Sequence, residues 1–148
     1  MAAILNALTK RKKNPEQLVR QTLSDLESLP QIEDEDERLS VCQDITEKLE
    51  AIKEILYGDG ERDPDPNRVV QMRGGLVEGG LVASLLSSIT SLPFEARKTT
   101  TLIFANLLRN DDDDSFQGYL SANFGLVEGL LGGYEREEIG WLKFDSFY

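Results

Sequence analysis

The stretch "FEARKTTTLIFANLLR" at residues 94–109 limits the possible folds more than any other part of this chain. At about 100° per residue, Phe94, Thr101, Leu102, Ala105 and Leu108 fall on one side of a helix, and Ala96, Ile103 and Leu107 on the other. A surface helix carries one apolar stripe, whereas a helix apolar on two sides is packed on two sides. That is the property of a helix in the middle of a stack. No strand-like alternation competes with this pattern, and no β-hairpin signal occurs.

The rest of the chain follows the same periodicity. Asn14 is placed to cap a first helix, with Pro15 at its first position and Gln17 where a capping box takes Glu or Gln. Leu18, Val19, Leu23 and Leu26 mark its inner face, and Pro30 closes it. The acidic run "EDEDE" at residues 33–37 suits the positive end of a second, longer helix. Its stripe is Leu39, Cys42, Ile45, Leu49, Ile52 and Leu56, and Gly58 stops it. The loop "GDGERDPDP" cannot continue a helix. A weak helix is expected over residues 67–77, because Gly74 and Gly75 each cost about 1 kcal/mol against Ala. Gly79-Gly80 breaks it, residues 81–92 form the next helix on Val82, Leu85, Leu86 and Ile89, and Ser91 is placed to cap the helix that Pro93 starts. Shorter helices are expected near 115–120, over 123–131 and from 135.

One short phrase returns: "GLVEGG" at residues 75–80 and "GLVEGL" at 125–130, a spacing of 125 − 75 = 50. In each copy a glycine break precedes an apolar helix and an acidic helix start follows, "PFEARK" in one case and "YEREEI" in the other. Helical units of about 40–50 residues that cannot bury their own faces stack into solenoids. The expected fold class is therefore all-α, an armadillo- or HEAT-like helical repeat solenoid, truncated, of about seven to eight helices. Residues 1–13 read as a basic flexible N-terminal arm, 14–139 as the repeat domain, and 140–148 as a divergent aromatic tail. In the tail Trp141, Phe144 and Tyr148 step by 3 and 4. That stripe is expected to fold back over the end of the stack rather than to serve as a sticky partner site.

Composition narrows the partners. The formal net charge of −11 repels phosphate backbones and anionic membranes, so neither nucleic acid nor membrane is an expected partner. The basic cluster Lys10-Arg11-Lys12-Lys13 reads as a solvated arm before it reads as a nuclear signal or a lipid contact. No run approaches the apolar length of a membrane span, and "MAAILNALTKRKK" has the wrong order for a secretory signal. The single cysteine, Cys42, reads as a small core residue and fits a reducing compartment, so the cytoplasm is the expected location.

The sequence carries no recognisable catalytic or metal-binding pattern. The sequence has no histidine, which removes His-based triads and His-ligated metal sites. No phosphate-binding glycine motif sits between a strand and a helix. "DPDPNR" from Asp63 offers oxygens at three calcium-loop positions, but Arg68 stands where the sharp turn needs Gly and Gly74 where a bidentate Glu is required. "DDDDSF" from Asp111 fails likewise, with Phe116 and Ala122 at those two positions. No catalytic residue, metal or cofactor is expected, and an enzyme is not.

The stretches "LEAIKEILYGDGERDP" (49–64) and "GGLVASLLSSITSLPFEARKTTTLIFANLLR" (79–109) resemble the calcium-binding protein 39 family of kinase scaffolds. Its landmarks are matched here by residues 53–58 and 94–98, by Ile103, Phe104 and Asn106, and by Leu108 and Arg109. "LLGGYEREEI" (130–139) is similar to a further landmark, and "NPEQLVRQTLSDLESL" (14–29) to its first helix. The resemblance implies an armadillo-like scaffold without catalytic activity or an EF-hand. It implies binding of a STRAD-like pseudokinase, support of the kinase upstream of AMP-activated kinase, and activation of sterile-twenty-class kinases by holding a regulatory helix in its active position. Family members are more than twice as long, and this chain leaves their pattern after Ile139 with "GWLKFDSFY". Their later partner-contacting residues therefore have no counterpart here.

Two expectations of function follow. The first is a non-catalytic scaffold that binds and activates a protein kinase or pseudokinase, with Glu95, Asn106 and Arg109 as contact residues on the remaining side of the long helix. The alternative is a truncated isoform or gene-model fragment with at most an oligomerisation role. A stack cut in mid-array leaves an apolar face uncovered, so marginal stability or self-association through that end is also expected.

Overall fold

The computed structural model describes residues 14–110 and 115–122. Among these every regular element is a helix. The basic arm, the second Gly-Leu-Val-Glu-Gly copy, the later helices and the aromatic tail lie outside the described residues.

Helix α1, Pro15–Ser28, begins as its sequence dictates: the Asn14 side chain accepts the Glu16 amide at 2.9 Å and Pro15 occupies the first position. The cap thus engages the second helical residue, not the capping-box position of Gln17. Leu18, Val19 and Leu26 are buried, but Thr22 takes the inner place expected of Leu23, which is half-buried. Thr22 can sit there because its hydroxyl donates to the Leu18 carbonyl at 2.7 Å, leaving no orphan polar group. A 3₁₀ turn, Leu29–Gln31, ends the element at Pro30.

Helix α2, Glu35–Tyr57, is capped by Asp34, whose carboxylate accepts the Glu37 amide at 3.2 Å, and Glu35, Asp36 and Glu37 fill its first turn. Cys42, Ile45, Leu49, Ile52 and Leu56 are buried along it. Leu39, assigned to the same stripe by periodicity, is 63% exposed; among the described residues Cys42 is the first of α2 to be buried. The helix ends at Gly58, whose φ of 88° suits glycine; a Cβ there would collide with the Arg62 carbonyl.

Helix α3, Pro66–Glu78, starts on an Asp65 cap to the Asn67 amide at 3.0 Å and runs through Gly74 and Gly75. Gly80, at φ 84°, turns the chain into α4, Leu81–Ser88, where Leu81, Val82, Leu85 and Leu86 are buried. The helix expected over 81–92 tightens into a 3₁₀ turn at Ile89–Ser91. Ser91 makes no cap; Pro93 holds the cap position and α5 runs Phe94–Arg109. Helix α6, Ser115–Ala122, leans on α5 through Phe116, whose ring lies 6.4 Å from that of Phe104.

Helix α2 is the spine, with α1 on one flank and α5 on another, while α3 and α4 close against α1. The buried residues of all six helices form one core cluster. The two-sided pattern of α5 is resolved unequally. Ala96, Ile103 and Leu107 are buried, but Phe94 is 51% and Leu102 38% exposed, and Ala105 and Leu108 are half-buried. Among the described residues only one of the two apolar sides is fully packed.

Candidate functional site

The expected contact residues fall on α5, and its seam with α2 holds Arg109. Tyr57, the last residue of α2, donates its hydroxyl to the Leu102 carbonyl at 2.7 Å. Arg109 donates to the same hydroxyl oxygen at 2.6 Å, and its guanidinium lies 5.7 Å from the Tyr57 ring centroid. One phenol thus ties the C-terminal end of α2 to two turns of α5. Arg109 also stands in the last turn of α5, where positive charge complements the helix dipole.

Further along the seam, Thr99 donates to Glu50 at 2.6 Å, and Lys53 bridges the same carboxylate at 3.2 Å. The Thr99 hydroxyl, with help from Lys53, holds the Glu50 carboxyl below its ordinary value. Lys48 pairs with Asp25 and links α2 to α1.

The three expected contact residues do not form one exposed patch. Glu95 and Arg109 are exposed at opposite ends of α5, but Asn106 is buried, 6% exposed. Asn106 sits at the edge of the covered arc, where Arg73 of α3 reaches over to the Leu107 carbonyl at 3.4 Å. Among the described residues its carbonyl oxygen Oδ1 has no hydrogen-bond partner, and its backbone carbonyl accepts from Asn110 Nδ2 at 2.9 Å. Its placement corrects the expectation that it faces solvent.

A second feature was not anticipated. The outer face of α2, the α2–α3 loop and the first turns of α1 enclose a groove of about 630 Å³. Leu18, Ala51, Ile55 and Pro64 supply its apolar surface, and Glu47, Glu50 and Glu54 edge it from α2. The signal was present in the sequence, since those three glutamates step by 3 and 4 and share a helix face. Asp65, one of the oxygens of the failed calcium loop, is spent on the α3 cap. Among the described residues no group of three or more His, Cys, Asp or Glu side chains is placed to hold a metal ion.

The seam links the two stretches that carry the resemblance, the helix ending at Tyr57 and the helix ending at Arg109. The Mo25-like family model matches residues 7–143, nearly the whole chain. The chain belongs to the Mo25-like family. It is 31% identical to a human calcium-binding protein 39-like protein over 133 residues, covering 88% of this chain and 39% of that one. A MO25-like protein of Arabidopsis thaliana is 30% identical, covering 83% and 37%. A Mo25-like protein of Schizosaccharomyces pombe is 26% identical, covering 89% and 40%. The chain thus spans about two-fifths of the length of these Mo25-like relatives. Membership agrees with the all-helical architecture and with a helical repeat fold. Among the described residues no single helix is long and apolar enough to cross a membrane; α3 and α4 together reach the length, bent by 59°.

Proposed function

We propose that this Mo25-like chain is a non-catalytic scaffold that binds and activates a protein kinase or a STRAD-like pseudokinase, sterile-twenty-class kinases included, in the cytoplasm. The family match over residues 7–143 carries this reading. The human relative is named for calcium binding and not for a reaction, which supports a non-catalytic reading. The fold supplies such a surface: α5 presents Glu95 and Arg109 about 21 Å apart along one helix, within reach of a single partner domain. Arg109 is held in place by Tyr57, so its charge is pre-organised and less ordering entropy is lost on binding. Asn106 enters as support for the α5 surface, because it is buried.

Affinity capture on immobilised pseudokinase and sterile-twenty-class kinase domains tests the proposal. The 148-residue chain is expected to be retained, and the Glu95→Ala/Arg109→Ala double variant to be retained less. Failure of the folded native chain to bind either class would overturn the function. Unchanged capture of the double variant would overturn the α5 assignment alone.

A further inference from the structure

The groove beside α2 is lined by none of the α5 residues assigned to a partner, and its chemistry points to an occupant within the chain. Its apolar surface is small: Leu18 from α1, Ala51 and Ile55 from α2, and Pro64 from the loop. Its rim is acidic. Glu47, Glu50 and Glu54 are joined by Asp59, Asp63 and Asp65, against Arg62, Arg68 and the Lys53 that pairs with Glu50, a formal excess of 6 − 3 = 3 negative charges. An apolar trough with such a rim fits a short segment that is apolar in one half and basic in the other.

The sequence holds such a segment next to the groove. Residues 1–13 read "MAAILNALTKRKK", with Ile4, Leu5 and Leu8 followed by four consecutive cations, Lys10 to Lys13. Lys13 adjoins Asn14, the cap of α1, and Leu18, one turn further on, already lines the groove. A tether this short gives an effective concentration in the millimolar range, so a weak contact is enough to be populated. Thirteen residues also reach about 40 Å when extended. We propose that the groove is the seat of the chain's own N-terminal segment, with the cations of residues 10–13 on the acidic rim and Ile4, Leu5 and Leu8 over the apolar surface.

Zero-length carbodiimide cross-linking of the full chain, read by mass spectrometry, tests the proposal. Lysines 10, 12 and 13 are expected to join Glu47, Glu54 or Asp63 about tenfold more often than the equally exposed Glu33 and Asp36 at the far end of α2, as the tethered geometry requires. The preference is expected to disappear in high salt and in the Glu47→Lys/Glu54→Lys variant. The salt comparison uses the native chain and so stands even where the variant does not fold. Equal linking to Glu33 and Asp36 would overturn the proposal. So would links found mainly between light and heavy chains in an isotope-mixed sample, which would assign the groove to a second copy.

Discussion

At the scale of single residues, the two glycines inside α3 show how neighbours decide what a sequence rule is worth. Both Gly74 and Gly75 weaken a helix, and the sequence treats them alike. A Cβ on Gly74 would meet open space, whereas one on Gly75 would lie 3.1 Å from Val19 Cγ2. Val19 is 3% exposed and β-branched, so it has little freedom to move aside. Gly74→Ala is therefore expected to stabilise the chain by about 0.5–1 kcal/mol, and Gly75→Ala to lose that gain. Urea unfolding midpoints of the two variants measure the difference, and equal shifts would contradict the close α1–α3 approach. The same logic explains Leu39 and Thr22. Periodicity says which residues share a face but not how far along the helix that face is covered.

At the scale of elements, the α2–α5 seam combines apolar burial with a few directed polar ties. Tyr57→Phe removes both hydrogen bonds of the phenol and keeps the ring beneath Arg109. The expected loss is about 1 kcal/mol. Arg109→Ala in the Tyr57→Phe background is expected to cost less than Arg109→Ala alone, and a double-mutant cycle reads that coupling. Additive losses would show that the tie is not energetically shared. Glu50 gives the seam a pH dependence. Its folded carboxyl titrates below the ordinary value of 4.5, so its contribution is present above that value and is lost as pH falls through the lower, folded one. Thr99→Val removes the largest cause of the shift. The stability gap between native and variant chains is thus expected to be wider at neutral pH than well below 4.5. A gap that does not change with pH would separate Thr99 from Glu50.

At the scale of the whole molecule, the all-helical class and most helix boundaries were legible because the breaks are chemically marked. Asn14-Pro15, Gly58 and Gly79-Gly80 each leave few conformations open, whereas the Asp65 cap and the start at Pro66 were read as loop. What was not legible depends on packing between elements. Ser91 carries the composition of a cap but lies in a 3₁₀ turn, with Pro93 in the cap position. Asn106 looked like a surface amide, and its wheel angle could not show that α3 reaches its edge of α5. The Tyr57–Arg109 tie joins residues 52 apart in sequence, beyond the range of any local rule. The groove was marked only by the spacing of the α2 glutamates, a pattern that ordinary solvated helices share.

The proposed role of this Mo25-like helical stack is to present a surface to a kinase or pseudokinase. Sedimentation velocity of the chain mixed with a purified STRAD-like pseudokinase domain tests it most directly. The account predicts one faster boundary containing both proteins. Two independent boundaries, with the chain still helical by circular dichroism, would contradict it.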